Sequence, residues 1–202
     1  MPNSLFLDLI ALRREARNLE YKQSTSWADT FRVNITKSIL AMSNIRDGGH
    51  IIIGMKRQTD DSYLAEGMEQ SRLDSFTADD VQAFVAQYAD PYVQFILTKE
   101  EDDRGRKYVW IQIQEFDEFP VICRKSHSNI LSGSKLYTRT RRRFESAEVP
   151  GAAEMREIIY MAVEKGIRGF YEPARKAGIE LPLTIGPTDE QSFDEQLRRG
   201  GL

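Results

Sequence analysis

Gly48-Gly49-His50-Ile51-Ile52-Ile53-Gly54-Met55 decides how the rest of the chain is read. Three consecutive β-branched residues in a nearly uniform apolar run predict a central strand covered on both faces. Just upstream, Asn44-Ile45-Arg46-Asp47-Gly48-Gly49 predicts a helix stop and a turn, because Asn and Gly tolerate the left-handed conformation that ends helices. The helix it stops is expected over 27–43, with Ala28, Phe31, Ile35, Ile39 and Met42 on its core face and Ser24-Thr25-Ser26 offering caps. Before it, Leu19-Glu20-Tyr21-Lys22-Gln23 alternates apolar and charged residues like a short strand. Leu5, Leu9, Leu12 and Ala16 recur at helical spacing over 4–18.

Downstream, Thr77 can cap a helix over 78–89, with Val81, Phe84, Val85 and Tyr88 inward. Residues 92–98 and 107–114 predict a hairpin around Asp102-Asp103-Arg104-Gly105, with Val109, Ile111 and Ile113 on one face of its second arm and Tyr108, Trp110 and Gln112 on the other. Short strands follow over 119–124 and 135–140, then a helix over 152–165 with Met155, Ile158, Ile159 and Ala162 inward. After Lys165, Gly166, Gly169, Pro173, Gly178, Pro182, Gly186 and Pro187 punctuate the chain, which predicts a domain over 1–165 and a short C-terminal appendage over 166–202. In the appendage Thr188-Asp189-Glu190-Gln191 matches a capping box for a short helix to Arg199, with Phe193 and Leu197 as anchors. The expected fold class is α+β, a mixed, largely antiparallel sheet with flanking helices.

Composition narrows the function classes. In 202 residues, 41% hydrophobic and 29% charged describe a globular protein and exclude collagen-like, low-complexity and wholly disordered chains. Apolar runs of a few residues fall far short of the roughly 20 that cross a bilayer, so no membrane partner is expected. One cysteine, Cys123, excludes an intramolecular disulfide framework and a Cys-rich zinc site, and His50 and His127 lack metal-ligand spacing. The start of the sequence has no basic n-region, and the expected location is the cytoplasm. Twenty-eight Lys+Arg against 31 Asp+Glu give a net charge of −3, a weak argument against a polyanion partner. Phosphate contact, however, is screened beyond about 8 Å, so the local distribution of charge matters more than the sum.

The densest charge is Arg139-Thr140-Arg141-Arg142-Arg143, which places Arg139, Arg141 and Arg143 on one face if the strand continues. Guanidinium forks match phosphate oxygens, Arg124 and Lys125 extend the patch, and Tyr137 offers a ring to a base. The plainer alternative is a solvated strand end paired with Glu145 and Glu148. Lys56 and Arg57, after the apolar strand, can join that surface or simply finish the strand in charge. Glu15 and Glu20 can converge to hold a divalent cation, with Lys22 on the same strand face as Glu20 to meet a phosphate; equally, both are solvated surface charges. Gly48-Gly49 leads into a strand and lacks the phosphate-loop pattern, which disfavours nucleotide hydrolysis. Cys123, Trp27 and Trp110 read as packing residues.

Taken in order, Glu15-x-x-x-x-Glu20-x-Lys22, Ala41-Met42-Ser43-Asn44, Gly48-Gly49, Ile51-Ile52-Ile53-Gly54, Gly67, Pro120 and Tyr137-x-Arg139 resemble the Schlafen-type Alba-like domain family over roughly residues 12–165. The resemblance implies an α+β nucleic-acid-binding domain, DNA-binding in bacteria, with animal relatives that cleave RNA using three carboxylates and a divalent metal. Glu15 and Glu20 match two of those carboxylates and Lys22 the basic residue beside them. The third is not matched: Met55-Lys56-Arg57 stands where Val and then Asp usually continue the strand, leaving Asp60 and Asp61 as substitutes only if the loop folds back. The arginine cluster replaces the Gly-Ser-Ser run that usually follows Tyr-x-Arg.

The leading expectation is therefore binding of DNA or RNA with weak sequence preference, through Lys22, Lys56, Arg57, Arg139, Arg141, Arg142 and Arg143, with no cofactor. One alternative is a nuclease using Mg2+ or Mn2+ on Glu15 and Glu20. The other is a non-enzymatic module that binds a protein partner or a second copy through the appendage.

Overall fold

The computed structural model describes residues 3–178 and places Ile51-Ile52-Ile53 in the interior of a sheet. In chain order the elements are α1 (Ser4–Ala11), β1 (Leu19–Lys22), α2 (Asp29–Ser43), β2 (Gly49–Ile53), β3 (Met55–Arg57), β4 (Tyr63–Ala65), α3 (Gln70–Asp74), α4 (Ala78–Ala86), β5 (Ala89–Asp90), β6 (Phe95–Glu101), β7 (Lys107–Ile113), β8 (Ile122–Cys123), β9 (Lys135–Arg139), β10 (Ser146–Glu148) and α5 (Ala152–Lys176). One sheet has the order β1-β2-β7-β6, with β1 parallel to β2 and the other pairs antiparallel. A second, wholly antiparallel sheet runs β10-β9-β8-β5, and β3 and β4 form a separate hairpin. The class is α+β and largely antiparallel, as expected.

Strand alternation divides the core in two. Ile51, Ile53, Val109, Ile111 and Ile113 pack with Ile35, Ile39 and Met42 of α2 on one face of the first sheet. Ile52, Leu19, Tyr21, Tyr108 and Trp110 form the other face, closed by Phe6 and Ile10 of α1. Because α2 packs against strands of both sheets, its C-terminal half is buried all round, not along the single stripe expected.

Several boundaries depart from expectation. α1 stops at Ala11 because Arg13 takes a left-handed φ of 54°, so Glu15 lies on a loop and not on a helix. α2 begins at Asp29, and its N-cap is Ala28 with no side-chain bond, so Ser24, Thr25 and Ser26 do not cap it. The strand expected through Met55 breaks at Gly54, whose φ is 117°, and restarts as β3. β9 ends at Arg139, before the arginine run. α5 turns Ile158 and Met161 inward, whereas Met155 and Ile159 are 36% and 51% exposed. α5 also runs through Gly166 and Gly169 to Lys176.

By its packing the chain divides into Met1–Lys165 and Gly166–Leu202. The capping box at Thr188, with Phe193 and Leu197, lies outside the described residues. Among the described residues no helix is long and apolar enough to cross a membrane.

The link from α2 to β2 is fixed by two residues. Gly48 has φ 66°, and a Cβ there would lie 2.0 Å from the Ile113 carbonyl oxygen, so the Gly-Gly pair is a steric requirement of the turn. Asn44 ends α2 with φ −98°, outside the left-handed region, which falls instead on Asp47 and Gly48. The buried Asn44 side chain donates to the Val121 and Tyr137 carbonyls (2.8 and 3.0 Å) and accepts from the Val121 N–H (2.8 Å), tying α2 to the second sheet. Asn44→Leu strands all three groups and is expected to cost on the order of 3 kcal/mol, read as a lower urea midpoint at unchanged slope.

Candidate functional site

Where β1 passes α2, a polar cleft of about 410 Å³ opens, bounded by β1, the polar row Asn34, Lys37 and Ser38 of α2, Arg57 and Tyr63 of the β3–β4 hairpin, and Phe144 to Ser146 after β9. β1 alternation explains its floor. Leu19 and Tyr21 face the α1 core, so Glu20 and Lys22 face the cleft.

Arg139, expected on the phosphate-binding surface, is instead 2% exposed. Its Nη1 donates to Glu20 Oε2 at 2.9 Å, and Nη2 reaches the Ala16 carbonyl at 3.2 Å. Nε donates to the Arg17 carbonyl at 3.1 Å, while Arg17 Nε returns a bond to the Arg139 carbonyl at 3.0 Å. The other Glu20 oxygen accepts from Ser38 (3.0 Å) and meets Lys22 Nζ at 2.5 Å. A buried ion needs partners of this kind, and here the fork of one arginine supplies them across two sheets. Arg139 is thus a structural cation, and its pairing uses up the carboxylate that resembles a metal ligand.

Glu15 lies half-buried at the cleft wall, accepting from the Tyr21 N–H at 2.9 Å. Burial pushes its carboxyl above the ordinary range; the Tyr21 N–H opposes this, Glu20 adds repulsion, and Arg139 and Lys22 pull it back down. The neighbouring Tyr63 hydroxyl is pushed up to about 12 by burial and by Glu15.

Donor chemistry at the cleft does not fit a divalent cation. Three carboxylates, Glu15, Glu20 and Glu145, share the lining with four cations, Lys22, Lys37, Arg57 and Arg139, and Glu20 is already paired with Arg139 and Lys22. Asp60 and Asp61 do not fold back into the cleft: Asp60 bonds Ser62 (2.6 Å) and Asp61 pairs with Arg57 (2.7 Å) at the hairpin turn. Among the described residues, no three His, Cys, Asp or Glu side chains gather as a metal-holding group.

The remaining candidates separate. Arg141, Arg142 and Arg143 form a turn and not a strand face; Arg141 shares Glu157 with Arg17 (3.2 and 2.7 Å), while Arg142 and Arg143 are exposed. Lys135, not an arginine, takes Glu148 (2.6 Å). Lys56 points away from Arg57 into a larger cleft of about 620 Å³. There each cation is matched by a neighbour: Lys56 by Glu66 (3.4 Å), Arg72 by Glu69 (3.8 Å), Arg106 by Asp102 (2.6 Å) and Lys107 by Gln70 (2.9 Å). Cys123 is buried, and burial pushes its thiol up, as for a packing residue. Sequence reasoning missed Asn34, Lys37, Ser38, Tyr63 and Phe144. The first three stand at i, i+3 and i+4 on one helix face, a signal open to reading; the other two carry none.

Two outcomes follow from the floor and the wall. Arg139→Met leaves Glu20 short of its main partner and is expected to cost about 3–5 kcal/mol in urea unfolding, much of it recovered when Glu20→Leu is added. For Glu15, the folded state holds the proton more tightly than the unfolded chain. Below the ordinary carboxylate pKa both states are protonated and no cost arises; as pH rises through the raised folded value, stability falls and then levels. Glu15→Gln keeps an oxygen for the Tyr21 N–H and is expected to have a higher urea midpoint than wild type at neutral pH, the gap closing below about pH 4.

No curated protein matches the chain. The crystal structure of the DIP2311 protein from Corynebacterium diphtheriae is similar at TM-score 0.48 and 11% identity, over 75% of this chain and 27% of that one. The solution structure of the N-terminal domain of an ATP-dependent DNA helicase RecG-related protein from Nitrosomonas europaea is similar at TM-score 0.43 and 15% identity, over 72% of this chain and 95% of that one. The family model described as Schlafen, AlbA_2 matches residues 15–148, a span that opens at Glu15 in the cleft wall and closes at the end of β10. The chain belongs to the Schlafen, AlbA_2 family.

Proposed function

We propose that the cleft and the arginine turn beside it bind the phosphate backbone of DNA or RNA, without a metal and with little sequence preference. The observation that carries this reading is the charge balance: lining cations Lys22, Lys37, Arg57 and Arg139 outnumber the carboxylates Glu15, Glu20 and Glu145 by four to three, and the exposed Arg142 and Arg143 directly precede the cleft-lining Phe144 in the chain. Arg139 contributes as fixed charge in the floor, while Lys22, Lys37, Arg57, Arg141, Arg142 and Arg143 make contact; Lys56 lies on the other side of β3. Cleavage through Glu20 would require that carboxylate to leave Arg139, Lys22 and Ser38 together, which disfavours the nuclease alternative. A second reading, docking of a protein partner, draws support from Met155, Ile159, Tyr160 and Val163, which are 36–70% exposed along α5.

Labelled single-stranded RNA, single-stranded DNA and duplex DNA, titrated with and without Mg2+ and then run on a gel, test the proposal. Binding without cleavage is expected, with log affinity falling against log salt at about 0.9 per phosphate contact on duplex DNA. Arg142→Ala and Lys37→Ala are each expected to flatten that slope by about 1. A slope and affinity unchanged in the double variant remove the cleft from nucleic-acid binding, and Mg2+-dependent cuts lost in Glu20→Gln restore the nuclease.

A further inference from the structure

At the cleft, Phe144 is a large apolar side chain that the hydrophobic core does not explain. It lines the polar cleft, half-buried, yet belongs to neither hydrophobic cluster. Its backbone is left-handed, φ 53°, a conformation that costs a bulky residue energy and that Asn or Gly adopts readily. The turn around it holds itself without the ring: the Phe144 N–H donates to the Thr140 carbonyl (3.2 Å), the Thr140 N–H to the Glu145 carbonyl (3.0 Å) and the Glu145 N–H to Thr140 Oγ1 (3.3 Å). The ring is therefore carried on an unfavourable backbone, directly after Arg141, Arg142 and Arg143 in the chain and outside both hydrophobic clusters.

A flat apolar face next to guanidinium groups matches a ligand that is flat and apolar in one part and polyanionic in the next. An unpaired nucleobase with its flanking phosphates has that chemistry, whereas a base inside a duplex has both faces covered by its neighbours. The other aromatic rings at the cleft do not serve, since Tyr63 is 9% exposed and Tyr21 2%, their centroids 4.9 Å apart. We propose that Phe144 is a stacking platform for an unpaired base, so that this cleft takes single-stranded nucleic acid in preference to duplex. The inference rests on the nucleic-acid reading above and adds the strandedness of its ligand.

The test compares wild type, Phe144→Asn and Phe144→Tyr on a labelled single strand and on the duplex of the same sequence, by anisotropy across a salt series. Asn keeps the left-handed backbone and removes the ring; Tyr keeps the ring. Phe144→Asn is expected to lose about tenfold on the single strand, with its salt slope and its duplex affinity unchanged, and Phe144→Tyr to stay near wild type. A single strand carrying 2-aminopurine, bound to unmodified protein, is expected to show stacking quench, which needs no variant to fold. Equal losses on both ligands, no loss on the single strand or no quench overturns the platform. Wild-type protein that binds neither ligand at low salt overturns the nucleic-acid reading itself, whereas salt-sensitive binding unaffected in Phe144→Asn overturns the platform alone.

Discussion

A buried ion pair links the two sheets directly. Glu20 leaves the edge strand of one sheet and Arg139 the second strand of the other, and each is almost without access to water. Neither charge is tolerable alone in that position, so the remaining Arg139 donors are spent on carbonyls of the segment before β1 and the remaining Glu20 lone pairs on Ser38 and Lys22. α2 is caught between, with Ser38 beside the pair and Asn44 pinning its far end to Val121 and Tyr137. The width of the cleft is thus set by a network with little freedom to adjust.

Much of the scaffold was legible in the sequence. The triple isoleucine predicted a doubly covered strand, and its neighbours in register, Val109 to Ile113, are the alternating residues of the hairpin arm. Lys22 and Glu20 share a face because they stand two positions apart on a strand. The family resemblance was also readable, spread over short motifs whose order is more informative than any one of them.

The site was less legible, for reasons that can be named. Arg139, Arg141, Arg142 and Arg143 are chemically identical in the sequence, and what distinguishes them is that β9 ends after the first. Arg139 pairs in register with Ser146 and so turns inward to a glutamate 119 positions away, a long-range fact no local pattern encodes. Glu15 looked like the end of a helix because Leu12 and Ala16 continue the spacing, but the left-handed Arg13 ends the helical path first. β4 escaped notice because three residues give too little alternation to read. On α5 Ile158 and Ala162 pack inward as expected, but Met161 rather than Met155 or Ile159 joins them.

β3 holds a consequence for how this chain can change length. Its three residues are paired in register with β4, and the pleat alone decides that Arg57 looks into the cleft while Lys56 looks into the neighbouring depression. A single codon inserted or lost between Gly54 and Lys56 would exchange the two, swapping a guanidinium for an ammonium beside Glu15 and presenting the fork to Glu66 instead. Two codons would restore the orientation. Viable length variation in this hairpin should therefore come in even steps, or fall in the turn beyond Arg57, where no side-chain parity is at stake.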